Sequence, residues 1–174
     1  MAELSVVGKP LPRIDATVKV TGSARFADDI SIQGMLRGKI LRSPYAHAKI
    51  LNINFSKAAK LPGVRAIITG KDFPGIKFGF LPQTRDQLPF ATDKVRHVGE
   101  AVAAVAAVDE EIAEEAIKLI KVDYEVLQPV LTIEEALREG APLVHEHAKN
   151  NTAFSAKFHY GDVDQGFSQS DYVK

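Results

Sequence analysis

The stretch from Val95 to Leu137, VRHVGEAVAAVAAVDEEIAEEAIKLIKVDYEVLQPVLTIEEAL, constrains the fold more than any other part of the chain. It reads as strand, helix, strand, helix, with few residues between them. The segment from Val95 to Val108 carries two strands split at Gly99. From Ala101 onward it is small and apolar almost throughout, which suits a strand buried on both faces. Asp109 stands where a helix N-cap belongs. Ile112, Ala113, Ala116, Ile117 and Ile120 then fall on one helical stripe. Glu110, Glu111, Glu114 and Glu115 crowd the start of that helix, with Lys118 and Lys121 at its end. That is the charge order the helix dipole favours, and otherwise a solvated face. Val122 to Leu127 is a further strand, stopped at Pro129. Thr132 and Glu135 spell a capping box for a second helix ending at Gly140.

Upstream the pattern is looser. Pro10 and Pro12 fix φ and remove donors, so residues 1–20 read as an extended arm. Between Leu36 and Phe55 the chain alternates, with Ile50, Leu51 and Ile53 among polar neighbours. Ser43-Pro44 interrupts, predicting two strands joined at a bend. Ser56 to Lys60 predicts one helical turn closed by Leu61-Pro62-Gly63, and Val64 to Thr69 a β-branched strand. A long loop from Gly70 to Asp93 follows, of the kind that is usually functional or disordered. Ala153 to Tyr160 reads as a last strand. Strands and helices mix without strict βαβ alternation, so the expected class is α+β, with mixed sheets and two main helices. The expected organisation is an arm over residues 1–20, one domain over 21–140, and a segment over 141–174 leading onward.

Composition narrows the function. The 174 residues suffice for one domain with a real core. Lys plus Arg and Asp plus Glu balance at 22 each, so no basic field points to nucleic acid and no polybasic run to a membrane surface. The chain has no cysteine, which removes disulfides, thiolate catalysis, zinc–thiolate sites and iron–sulfur ligation from this chain. No stretch of about 18 apolar residues is present. The N-terminus lacks a basic segment followed by an apolar run. The expected compartment is the cytoplasm.

Several residues have the chemistry for a site, each with a plainer reading. His145-Glu146-His147 places two imidazoles on one face if the segment is extended, and His159 and Asp162 are candidates to complete a metal site. The plainer reading is a polar loop, so no metal ligand is assigned. Glu100, beside Gly99 in an apolar run, has the setting of a carboxyl group with a raised pKa. The plainer reading is a bend residue, exposed or paired with Arg96 or His97. His47 has no Ser or Cys nucleophile in a recognisable setting and reads as a structural histidine. The glycines form neither a GxGxxG nor a Walker pattern. No catalytic or cofactor-binding residue follows from the residues alone.

Four stretches together resemble the N-terminal module of molybdenum hydroxylase large subunits. This family includes xanthine dehydrogenase, aldehyde oxidoreductase, carbon monoxide dehydrogenase and 4-hydroxybenzoyl-CoA reductase. The first is Arg13-Ile14-Asp15 with Lys19-Val20-Thr21-Gly22 and Phe26-x-Asp28-Asp29-Ile30. The second is Leu41-Arg42-Ser43-Pro44-Tyr45-Ala46-His47-Ala48-Lys49-Ile50. The third is Leu61-Pro62-Gly63-Val64 leading to Thr69-Gly70. The fourth is Val98-Gly99-Glu100-Ala101-Val102-Ala103 with Val122-Asp123-Tyr124-Glu125-Val126-Leu127. Phe78-Gly79-Phe80-Leu81-Pro82 and the alanine-rich run Ala103 to Ala107 are most similar to the 4-hydroxybenzoyl-CoA reductase branch.

The resemblance implies an α/β-hammerhead fold packed against molybdopterin-binding domains of the same large subunit. Those domains hold the molybdenum cofactor and the catalytic glutamate, while [2Fe-2S] clusters and FAD belong to iron–sulfur and FAD subunits or domains. It therefore implies no cofactor in this chain. It also implies a substrate-entrance role for the loop before Val95, here Phe80, Leu81 and Arg85, and an exposed apolar face left for partner domains. Ser170 to Lys174 resembles the start of an extended segment that continues in the family. Two rival readings remain open: a free-standing protein-interaction module, and a small metal-dependent hydrolase built on His145, His147 and His159.

Overall fold

The computed structural model describes residues 4–81 and 85–174. These fall into two units, the residues up to Met35 and Leu36–Lys174. The first unit contains a short helix, α1 (Ala16–Val20), and a single helical turn at Ala27–Asp29. None of its described residues is buried. Residues 5–9 already turn, the Lys9 N–H donating to Val6 O at 3.2 Å, so the expected arm is not extended throughout. Both prolines lie before α1, where they cannot break it. Lys19 pairs with Asp15 one turn earlier.

The second unit is built on two antiparallel sheets. Its strands are β1 (Arg37–Arg42), β2 (Ala48–Asn54), β3 (Val64–Thr69), β4 (Lys94–Val95), β5 (Ala101–Ala107) and β6 (Lys121–Val126). One sheet has the order β1-β5-β3 and the other β4-β2-β6. Every pairing is antiparallel, so neither sheet is mixed. The main helix is α2 (Glu110–Leu119), with a single-turn α3 (Ile133–Ala136) and α4 (Val163–Ser168) after it.

Strand β5 organises the core. It lies between β1 and β3, and its alternate residues enter two clusters. Ala103 and Val105 pack with Ala58, Ala116 and Ile120. Val102 packs with Ala48, Ala91 and Val95. The alanines of β5 and the buried Ala113 and Ala116 of α2 leave little side-chain bulk between helix and sheet. Asp109 caps α2 by accepting from the Ile112 N–H at 2.8 Å. Gly63 turns the chain into β3 with φ +96°, and a Cβ there would stand 2.6 Å from Ile112 Cδ1. Only glycine meets both conditions.

Three expectations shift. Leu51 is exposed because the β2–β6 register slips between Ile50 and Asn52, which turns Leu51 out of the alternation. Only half of the capping box at Thr132 forms, the Glu135 N–H donating to its hydroxyl at 3.1 Å. The return bond reaches Leu131 N rather than the cap, and the helix stops well before Gly140. The expected strand over residues 153–160 is irregular chain without ladder partners, and no residue from 152 to 174 is buried. In the long loop, Phe78 and Gln87 form a bridge, while Pro82 lies outside the described residues.

Candidate functional site

The features with chemical potential gather where β4, the bend before β5 and the loops around Asp86 and His145 meet. A cavity of about 410 Å³ opens there, lined among others by Arg42, Phe78, Asp86, Arg96, Glu100 and His145. Its floor is set by backbone. Gly99 takes φ +84°, its N–H donates to Ser43 O at 2.8 Å, and Arg42 Nη1 donates to Gly99 O at 2.9 Å. Glu100 turns back to accept from the Arg96 N–H at 2.5 Å. The structure thus gives Glu100 the bend-closing role.

Lys94 is the buried charge of the site. Its side chain is only 6% exposed, and Nζ donates to Leu143 O at 3.0 Å and to Glu146 Oε1 at 2.5 Å. A lysine so buried needs such a partner. The Lys94 hydrogen bond holds the Glu146 carboxyl below its ordinary pKa, and Glu146 also lies 3.8 Å from Arg96. Glu146 therefore turns toward the cations, and His145 and His147 turn away from it, with ring centroids 5.5 Å apart.

The two imidazoles meet Asp86. Its Oδ2 lies 3.5 Å from His145 Nδ1 and 3.8 Å from His147 Nε2. Burial, and next the Arg96 charge, push the His145 pKa down, with Asp86 opposing. Among the described residues the potential ligand atoms of these three lie within 4.8 Å of one another. The pairing of His145 with His147 was legible in the sequence. His159 and Asp162 do not join them. His159 is exposed, and Asp162 caps α4 by accepting from the Gln165 N–H at 2.9 Å. Asp86 and Lys94 carried no local signal.

His47 is read from the sequence as a structural histidine, and among the described residues its Nε2 is buried without a hydrogen-bond partner. It is buried, and its Nδ1 donates to Gln128 O at 2.8 Å, which fixes the proton on Nδ1. Phe80 is 98% exposed, and Leu81 and Arg85 are also exposed. None of the three lines the 410 Å³ cavity, whereas Phe78 does.

Residues 21–128, more than half of the chain, match the model of the family described as aldehyde oxidase and xanthine dehydrogenase, a/b hammerhead domain. The chain belongs to this family. Both sheets, from Arg37 to Val126, lie within the matched residues. The chain is 45% identical, over 97% of its length, to a probable xanthine dehydrogenase subunit of Bacillus subtilis, and spans 22% of that protein. It is 37% identical, over 98% of its length, to the nicotinate dehydrogenase large molybdopterin subunit of Eubacterium barkeri, and spans 40% of it. Among solved structures, the aldehyde oxidoreductase of Desulfovibrio gigas superposes with a TM-score of 0.72 at 30% identity. That match covers 79% of this chain and 16% of the other. The chain thus corresponds to less than half of each of these relatives. No described helix is long and apolar enough to cross a membrane.

Proposed function

We propose that this chain is the hammerhead module of a molybdenum-cofactor oxidoreductase that oxidises a ring carbon of an N-heteroaromatic substrate, the catalytic centre itself lying on other domains. The observation that carries this reading is the family match over residues 21–128 together with relatives much longer than the matched part. Two of those relatives are named for xanthine and nicotinate, both nitrogen heterocycles. That favours a heteroaromatic substrate over an aldehyde or 4-hydroxybenzoyl-CoA.

Of the molybdenum cofactor, iron–sulfur cluster and FAD that the family implies, the cluster does not fit this chain's own residues. A [2Fe-2S] cluster needs thiolates, and the chain has no cysteine. In this reading the molybdopterin-binding domains of the large subunit and the iron–sulfur and FAD subunits carry those groups. Exposed Phe158 (95%) and Tyr160 (99%) suit a module meant to be covered by them. Phe80, Leu81 and Arg85 then line the substrate entrance.

Molybdenum analysis and a dye-linked oxidation assay with xanthine and nicotinate, on the intact protein isolated from its source, test the reading. Stoichiometric molybdenum with oxidation of either compound is expected, and absence of molybdenum would overturn it. Phe80→Ala is expected to raise KM severalfold with kcat nearly unchanged, because it removes binding surface distant from the reacting atoms.

A further inference from the structure

We propose that Asp86, His145 and His147 form a binding site for a divalent first-row transition ion, with zinc the best match. Two imidazole nitrogens and one carboxylate oxygen are the donors that zinc takes in sites with three protein ligands. Bond lengths of about 2.0–2.2 Å with tetrahedral angles separate neighbouring ligand atoms by about 3.3–3.6 Å. The Asp86 Oδ2 separations of 3.5 Å and 3.8 Å are already near that range. The remaining gap, at most 4.8 Å, closes by rotation of His147, whose side chain is 64% exposed.

The segment that presents the imidazoles is clamped in advance. Asn151 accepts from the Val144 N–H at 2.8 Å and donates to Ala136 O at 3.1 Å and Pro142 O at 3.0 Å. The Ala148 N–H closes a turn on His145 O at 3.1 Å. Glu146 is tied to Lys94 on the opposite side. With Glu146 so engaged, the flanking histidines are free to face Asp86. Lys94 and Arg96 oppose a dication there, and Glu146 and Asp93 beside them, with Asp86 at the site itself, offset that charge. Asp86 and His145 line both the 410 Å³ cavity and a neighbouring one of about 380 Å³. A three-ligand ion there keeps a coordination position open to solvent or to a small anionic ligand.

The site does not depend on the molybdenum reading, and its test reads zinc alone. The intact protein is dialysed against chelator and titrated with zinc sulfate by calorimetry, with bound zinc counted by elemental analysis. The wild type is expected to take up one zinc ion per chain at this site. His147→Ala and Asp86→Asn are each expected to weaken that binding by at least about tenfold, about 1.4 kcal/mol, and His159→Ala to leave it unchanged. His147 is largely exposed, so its variant tests binding without threatening the fold. Failure of the wild type to bind zinc, or wild-type affinity in either His147→Ala or Asp86→Asn, overturns the proposal.

Discussion

Single residues in this chain act chiefly through the charge placed beside them. Lys39 reaches Glu110 at 2.5 Å and Glu114 at 3.1 Å, joining β1 to the first turns of α2. The Lys39 hydrogen bond holds the Glu110 pKa below its ordinary value, and the same contact raises that of Lys39. A carboxylate depressed in the folded state adds stability above its unfolded pKa and loses it as pH falls through the folded one. The contribution therefore fades on the acid side, below the ordinary glutamate range. Glu110 is solvent-exposed and Lys39 only half-buried, so water screens the pair and the expected readout is a titration and not a melting temperature. Lys39→Met is expected to return Glu110 toward its ordinary value in a carboxyl-carbon NMR titration, and an unmoved midpoint would refute the pairing. The acidic start of α2 was legible in the sequence, but Lys39 as its partner was not. Pairing between distant residues is set by strand order, which no local pattern encodes. Asp86 escaped notice for the same reason, since only the fold brings it to His145 and His147.

Individual elements were the most legible level, because their causes are local. The span Val64–Thr69 matches its expected strand, as a β-branched run after a Leu-Pro-Gly turn should. Helix α2 begins at the expected cap and turns the expected apolar stripe inward, with Ala113 and Ala116 buried and Ile112 and Ile117 partly so. Asp109→Ala removes the acceptor for the Ile112 N–H and a negative charge from the helix start. It is expected to cost about 1 kcal/mol in denaturant unfolding, while Asp109→Asn, which keeps an acceptor, should cost less. Equal losses for the two would mean that the cap contributes only charge. The misread elements have causes beyond the local pattern. The slip at Leu51 depends on how β6 pairs with β2, and residues 153–160 alternate like a strand but pair with none of the sheet edges.

At the scale of the molecule, the α+β class followed from the order of the elements, whereas the strand order could not. A run as apolar as Ala101–Ala107 demands burial on both faces, and the structure answers by giving β5 two hydrogen-bonded neighbours and two cores. The two sheets therefore share one strand's side chains. Neither sheet can open without exposing β5, so they are expected to come apart together, as one cooperative unit. In native-state hydrogen exchange, the amides of Val102 to Ala107 should be the slowest of the chain and should exchange only through global opening, at a free energy equal to that of unfolding. Two separate protection levels, one for each sheet, would show instead that β5 belongs to one core alone. A strand that belongs to both makes the domain a single kinetic object, which resists a protease until the whole of it lets go.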